Sequence, residues 1–432
     1  MLSIELHTKD IPEIYDRFSK EIGEGCWKER VASIRQEIKG NPLLHEYHQQ
    51  ESSIAFQLEQ LRDLKGRFGG VAVQQYNDHS HYSASSFAAQ VLSVIKAVNG
   101  LGAERFRSRV RACIKNNPSD LRALRLELAT ATHFLRQGKK VSWPEMAQSY
   151  VEGQRIYDLL VEDIGPNGLE LECKSFSEDK GRKITRREAL DFFWLIRSQN
   201  WKKLKLSPDG VAVVVTVEKR LPVAYKDRVA LSDLVSSLAL SGRTGIAEFN
   251  GVTVNVIRFE PSPFNALIEK STQSEHRRLL DQLTGTENKE IVAMSTSLNG
   301  ALVFVLQSKE DDTLMSSIER TLKDSASNQF SRSRAGVMVA GLEGLNPDQL
   351  ISLAMQDKDG EDLPTALRVY ASRILDSPGR DHLVGTVFLS SSDLRHVTND
   401  AVSSSSTSYH FLKRESPFWS DEFSGLFQQS ED

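Results

Sequence analysis

Three carboxylates and a lysine form the clearest chemical pattern in the sequence: Glu127, then Asp158, then the run Glu172-Cys173-Lys174. Carboxylate oxygens are what a hard cation such as Mg²⁺ takes as ligands, and Mg²⁺ keeps several waters when bound. Two carboxylates on neighbouring strands can hold it against a phosphate oxygen, where it stabilises charge and helps generate hydroxide. A lysine beside the metal orients or activates the water and offsets negative charge in the transition state. Together the four residues have the chemistry needed to hydrolyse a phosphodiester.

These residues need elements that bring them together. Residues 119–137 read as a helix, with Ser119 or Asp120 as N-cap after Asn117-Pro118 and Gly138 as its stop. Ala123, Leu124, Leu128, Ala131 and Phe134 define the inward face, and Glu127 lies on it. A carboxylate there is costly without a partner. The plainer alternative sets Glu127 at the edge of the stripe, reaching solvent or an arginine.

Strands are expected at 140–143, 156–162, 169–174, 211–217 and 252–259, with a turn at Gly165-Pro166-Asn167-Gly168 and a helix over about 185–200. Leu169, Leu171 and Cys173 face one way and Glu170, Glu172 and Lys174 the other, the pattern of a half-exposed strand. Its neighbour is apolar except for Asp158. A clean four-residue loop would pair Glu172 with Val161 and turn Asp158 to the opposite face. Convergence therefore requires a bulge or an odd-length loop, which is expected here. The unbroken apolar run 211–217 reads as a central strand buried on both faces.

Asp158, Glu172-Cys173-Lys174 beyond a turn and the preceding helix with Glu127 together resemble the PD-(D/E)XK nuclease superfamily over roughly residues 119–220. Tyr157 stands where many members have proline. The resemblance implies a restriction-endonuclease-like fold, an α/β (α+β) mixed sheet. It further implies that Asp158, Glu172 and the Cys173 main-chain carbonyl hold Mg²⁺ (with Mn²⁺ as substitute), that Lys174 is the catalytic lysine, and that Glu127 completes the metal's water shell. The implied activity is phosphodiester hydrolysis, with DNA the expected substrate. Such cores with unfamiliar flanking domains resemble restriction or phage-defence effectors. The alternative is a catalytically silent member that binds nucleic acid or serves assembly. In a third reading, from the residues alone, the charges are structural ion pairs, Glu172 with Lys174 or an arginine, and Glu127 is remote from both.

Two basic runs flank the acidic centre. Lys180, Arg182, Lys183, Arg186 and Arg187 follow it, and Arg105, Arg107, Arg109, Arg111, Lys115, Arg122 and Arg125 precede it. They suit a phosphate backbone or, equally, solvated helix faces. The net charge of −4 means that any affinity for nucleic acid must come from such local patches.

The 432 residues suggest two or three domains: a helical region at 1–118, the nuclease-like domain at 119–262, and an α/β domain at 263–432. Ser403–Ser408 reads as a low-complexity loop. With 39% hydrophobic residues and no long apolar run, no membrane span is expected. Three scattered cysteines form neither a disulfide framework nor a zinc cluster, and with no signal peptide in view the expected compartment is the cytoplasm. His79-Ser80-His81 has no third ligand nearby and reads as a loop. No P-loop sequence is present, so nucleotide hydrolysis would need a separate partner chain. A homo-oligomer is compatible with the sequence.

Overall fold

The computed structural model describes residues 2–427 except 69–80, 99, 117, 148–155, 263, 266–272, 286–289, 360–361 and 399–400. His79, Ser80, Asn117 and most of the loop around 69–86 lie outside the described residues. The described helices are α1 (Ile11–Ile22), α2 (Gly25–Gly40), α3 (Leu44–Glu51), α4 (Ser53–Phe68), α5 (Tyr82–Ala97), α6 (Leu101–Lys115), α7 (Pro118–Arg136), α8 (Arg186–Leu204), α9 (Tyr225–Leu240), α10 (Gln273–Thr284), α11 (Leu314–Asn328), α12 (Pro347–Gln356) and α13 (Ala366–Leu375). The strands are β1 (Leu2–His7), β2 (Val141–Ser142), β3 (Leu159–Val161), β4 (Leu169–Phe176), β5 (Gly210–Val217), β6 (Gly245–Phe249), β7 (Val252–Phe259), β8 (Glu290–Ser295), β9 (Ala301–Ser308), β10 (Ala335–Leu342), β11 (Leu383–Ser390), β12 (Asp393–Thr398), β13 (Ala401–Ser406) and β14 (Ser408–Leu412). The class is mixed α/β, of the α+β kind. Among the described residues, no helix is long and apolar enough to cross a membrane.

Strong local signals produced the expected elements. The Thr185 side chain caps α8 and forms a capping box with Glu188. Asn346 does the same for α12 with Gln349, and Pro347 sits in the first turn. Two expectations fail. The helical region opens with a strand, β1, and much of the serine-rich 403–408 segment is strand β13. These two strands pair antiparallel, and β12 pairs with β13 on its other side. Serine runs carry no apolar alternation, so the hydrogen bonds of the ladder fix this sheet where side-chain pattern gives no sign of it.

The chain divides into two compact units, and they are not the three consecutive segments expected. One comprises Met1–Arg35, His48–Lys180 and Met315–Asp432; the other comprises Gln36–Tyr47 and Gly181–Leu314. The second unit thus interrupts the first twice in sequence, at 36–47 and between β4 and α11.

In the first unit a six-stranded sheet runs in the order β14-β11-β10-β4-β3-β2. β2, β3 and β4 are antiparallel neighbours, whereas β4, β10 and β11 are parallel. α7 covers the face carrying Cys173, whose Sγ lies 3.8 Å from Thr130 Oγ1. At Gly341, on that face of β10, an added Cβ would stand 3.2 Å from Leu126. On the other face Phe176, Met338, Ala340 and Phe388 pack with Ile318 and Leu322 of α11, Leu350 of α12, and Leu367 and Ile374 of α13.

In the second unit a five-stranded sheet runs β6-β7-β5-β9-β8. Val211, Val213 and Val215 pack with Phe192, Ile196, Leu231 and Val235 of α8 and α9, and Ala212 and Val214 with Leu280 of α10. The 211–217 strand is therefore buried on both faces, as expected, but it belongs to this second sheet. The place beside β4 is filled by β10. The helix and strand expected to complete the order of helix, strands, helix and strand are α8 and β5 of the second unit; in the first unit α11 and β10 follow β4 in sequence.

Residues 162–168 connect β3 to β4, with Gly165 at φ 64° and Gly168 at φ 82°. A Cβ on Gly168 would sit 2.9 Å from the Val161 carbonyl oxygen. Gly168→Ala is expected to destabilise the first unit by roughly 1–3 kcal/mol, the scale of a strained positive φ. A urea midpoint unchanged from the parent would refute the assignment of this glycine as obligatory.

Candidate active site

The β3–β4 register answers the question the sequence left open. Leu159 faces Leu171, Leu160 faces Glu170 and Val161 faces Leu169. The loop between the paired residues Val161 and Leu169 is odd in length, and continuing the register by one residue sets Asp158 across from Glu172. The ladder itself changes at that point. The Asp158 N–H donates to the Leu171 carbonyl at 3.1 Å. The Cys173 N–H, in place of a main-chain partner, donates to Asp158 Oδ2 at 2.7 Å. A side chain has taken over a strand–strand bond, which locks the Asp158 carboxylate beside the edge of β4. N–H and C=O of one strand residue point to the same edge, so the Cys173 carbonyl lies on the Asp158 side.

Glu172 is 1% exposed and Glu127 is 3% exposed. The charged face of β4 is thus buried here, not half-exposed as its alternation suggested. Lys174 Nζ lies 2.5 Å from Glu172 Oε1. Arg109 of α6 reaches Glu127 with Nη2 2.6 Å from Oε1, and its Nη1 is 3.5 Å from Glu145. The other oxygen of each glutamate, Glu127 Oε2 and Glu172 Oε2, is buried without a hydrogen-bond partner. Each carboxylate therefore has one oxygen held by a cation and one left open.

The electrostatics show that the four expected residues form one group. Burial pushes the Glu127 carboxyl up to about 7; Asp158 adds to the rise and Arg109 opposes it. Burial and then Glu172 raise the Asp158 carboxyl, against the pull of Lys174 and Arg109. Burial raises Glu172 as well, with Lys174 opposing and Glu127 reinforcing. Burial opposes the charge on Lys174, but Glu172 and Asp158 outweigh it and its ammonium is held firmly protonated. The raised Asp158 and Glu172 carboxyls act on one another and therefore titrate as a pair, not singly. The ion-pair reading expected Glu172 to pair with Lys174, as it does, and the plainer reading of Glu127 expected an arginine, which Arg109 supplies. The ion-pair reading's other expectation, a Glu127 remote from the rest, does not hold.

Arg109 is the residue sequence reasoning missed. It stood within a basic run that suited a phosphate backbone or, equally, a solvated helix face. A helix turn links Arg105 and Arg109, and Phe106 lies 6.3 Å from Trp143, so this face of α6 packs on the segment after β2. Residues 1–35 and 48–118 of the expected helical region are part of the site's own unit, and 36–47 belong to the other. Cys173 is buried against Thr130, and burial raises its thiol well above the usual range, as suits a small apolar filler. His133 lies off the cluster: its Nε2–H donates to the Leu426 carbonyl at 2.7 Å and its ring stacks on Phe427.

The basic runs are largely spent on local partners. Arg107 pairs with Glu21, Lys115 with Glu29, and Arg122 with Glu51. Arg182 pairs with Glu290, Lys183 with Glu310 and Arg187 with Glu37, while Arg186 is 4.0 Å from Glu46. These four belong to the second unit. Lys180, in the first, lies over the Phe176 ring at 5.8 Å. The five residues expected as a single nucleic-acid-binding set are therefore divided between the units.

No group of three or more His, Cys, Asp or Glu side chains among the described residues is disposed to cage a metal ion. No protein-family model, curated protein or solved structure matches the chain.

The raised carboxyls predict a pH-dependent stability. The folded protein keeps protons on Glu127, Asp158 and Glu172 that the unfolded chain releases at ordinary carboxylate pH. This contribution is fully present below pH about 4.5 and is lost as pH rises through about 7. Melting of the metal-free protein in EDTA should therefore fall between pH 5 and pH 8, and Glu127→Gln should flatten that fall. A melting temperature that rises over this interval would contradict the burial-driven shifts.

Proposed function

We propose that the first unit is a divalent-metal-dependent nuclease of the PD-(D/E)XK type, acting on nucleic acid and most directly on DNA. The observation that carries this reading is the pair of buried, unpartnered oxygens, Glu127 Oε2 and Glu172 Oε2, in a group whose remaining oxygens are held by cations. Native proteins satisfy buried polar atoms, and an exception calls for a functional explanation such as an ion. Asp158 and Glu172 offer two carboxylates, and the Cys173 carbonyl lies at the same edge. Two carboxylates, a carbonyl and waters are a donor set that suits Mg²⁺ or Mn²⁺, which needs no cage of protein side chains.

Asp158 and Glu172 would hold the metal, which when bound supplies Lewis-acid stabilisation and a water of lowered pKa. Lys174, fixed by Glu172 and kept protonated, places a positive charge where the pentavalent phosphate gathers negative charge. Glu127, held at Oε1 by Arg109 with Oε2 unpartnered, would be placed to accept a hydrogen bond from a water bound to the metal. Asp158 is oriented by the Cys173 N–H and does not depend on a mobile side chain. The order α7, β2–β4, α11, β10 also supports a restriction-endonuclease-like core, interrupted by the second unit.

The test uses the full chain with circular and linear duplex DNA, single-stranded DNA and RNA, each with Mg²⁺, Mn²⁺ or EDTA. Cleavage is expected only with metal. Glu172→Ala and Lys174→Ala should each lower it by about 100-fold or more, as loss of a preorganised charge-stabilising group does. Cleavage unaffected by both substitutions would place the chemistry elsewhere. Metal-independent binding without cleavage of any substrate would make the fold a silent binding module.

A further inference from the structure

The strand face that carries Glu172 and Lys174 continues to a second basic group. Glu170 lies two residues before Glu172 on β4, so the two share a face. It is fully buried, at 0% exposed. Its oxygens are supplied by Ser331: the N–H donates to Oε2 at 2.9 Å and the hydroxyl donates to Oε1. Arg334, in the segment leading into β10, stands with Nη1 3.6 Å from Glu170 Oε1. The same nitrogen donates to the Tyr157 hydroxyl at 3.3 Å, and Tyr157 adjoins Asp158 in sequence.

Glu170 thus has its hydrogen bonds without Arg334, while the contacts of Arg334 among the described residues run through Nη1. The side chain is 37% exposed. One nitrogen is anchored and, among the described residues, the other guanidinium nitrogens make no hydrogen bond or ion pair, which leaves donors of the planar fork with which arginine grips phosphate. Leu160, across from Glu170, and Asp158 are each half-buried. Along β4, same-face positions recur about every 6.6 Å, from a rise of about 3.3 Å per residue. That repeat is comparable to the distance between successive phosphates of a nucleic-acid strand.

We propose that Arg334 is a phosphate-binding residue that takes the nucleic-acid phosphate adjacent to the one at Asp158, Glu172 and Lys174, an assignment that rests on the nuclease reading above. Lys174 and Arg334 then bracket the acidic centre along one strand face. The backbone track is set by two cations of the first unit, not by the basic run 180–187.

The experiment measures binding of a fluorescent duplex DNA across a series of salt concentrations, with Mg²⁺ present. All proteins carry Lys174→Ala so that the DNA stays intact. Cleavage by the unaltered chain, assayed in parallel, reports on the nuclease reading by itself. Arg334→Gln should weaken binding to unrelated sequences alike and reduce the slope of log K against log salt by about 0.9, the loss of one phosphate contact. Arg334→Lys should restore most of the slope. Ser331→Ala, which removes a Glu170 donor but no charge, should leave the slope unchanged. An unchanged slope in Arg334→Gln, or equal weakening in Arg334→Gln and Ser331→Ala, would overturn the assignment while leaving cleavage intact. Absence of any nucleic-acid binding would overturn both readings. A matched melting temperature for Arg334→Lys and its parent keeps the comparison independent of folding.

Discussion

Negative charge held out of water is the constraint on which the larger unit turns. Glu127, Glu170 and Glu172 are all nearly inaccessible, and a buried carboxylate is tolerable only when cations and donors compensate its lost hydration. Each has found a cation: Arg109, Arg334 and Lys174 respectively. The three are not equivalent, however. Glu170 has donors on both oxygens, as a structural carboxylate should. Glu127 and Glu172 each keep one oxygen open. The contrast arises within one protein and, for Glu170 and Glu172, within one strand. It therefore does not reduce to a general looseness of the fold. The open oxygens gather where Asp158 has also been brought, a convergence that a set of separate ion pairs does not require.

That convergence depends on backbone pairing. β3 pairs with β4 over only three residues before the ladder changes at Asp158. A longer regular ladder would have used the Cys173 N–H for a main-chain bond. Because the ladder stops, that N–H is free to fix the Asp158 carboxylate, and the edge of β4 beside Glu172 stays available. On the opposite side β4 is paired along its whole length with β10. The strand that carries Glu172 and Lys174 is thus fully paired on one edge and, among the described residues, has on the other a ladder partner only at 169–171, with Asp158 next to it.

The Glu172-Cys173-Lys174 run and the Glu127 helix were legible because a charged residue on an apolar helix face and a lysine two residues from a glutamate are local patterns. Asp158 was legible only with the condition that the loop be odd in length, since a period of two makes a single-residue slip move a side chain to the opposite face. The partner of β4 was not legible. Residues 211–217 and 335–342 are both unbroken apolar runs suited to a central strand, and nothing local says which sheet either joins. Arg109 was hidden for a similar reason. Helical spacing gives the face it occupies but not the carboxylate that a different helix presents to it.

The same uncertainty explains the misplaced domain boundary and shows how the second unit can interrupt a sheet. An inserted segment is tolerated when the chain enters and leaves it at neighbouring points, because closing a long loop adds little entropy beyond that of a short one. Here the two ends are joined: the Thr313 N–H donates to the Gly181 carbonyl at 2.9 Å, and the Thr313 hydroxyl donates to the same oxygen at 3.1 Å. Gly181 sits at φ 77°, and a Cβ there would lie 2.6 Å from the Thr313 main chain, so only glycine allows the approach. With that clasp closed, β4 ends and α11 begins as though the intervening residues were a short connection. The parallel pairing of β4 with β10 can then form around an insert that builds its own sheet and two core faces. The basic residues at the start of the insert are drawn into that second fold through Glu290, Glu310 and Glu37. Their nearness in sequence to Lys174 therefore carries no implication of nearness to the carboxylates.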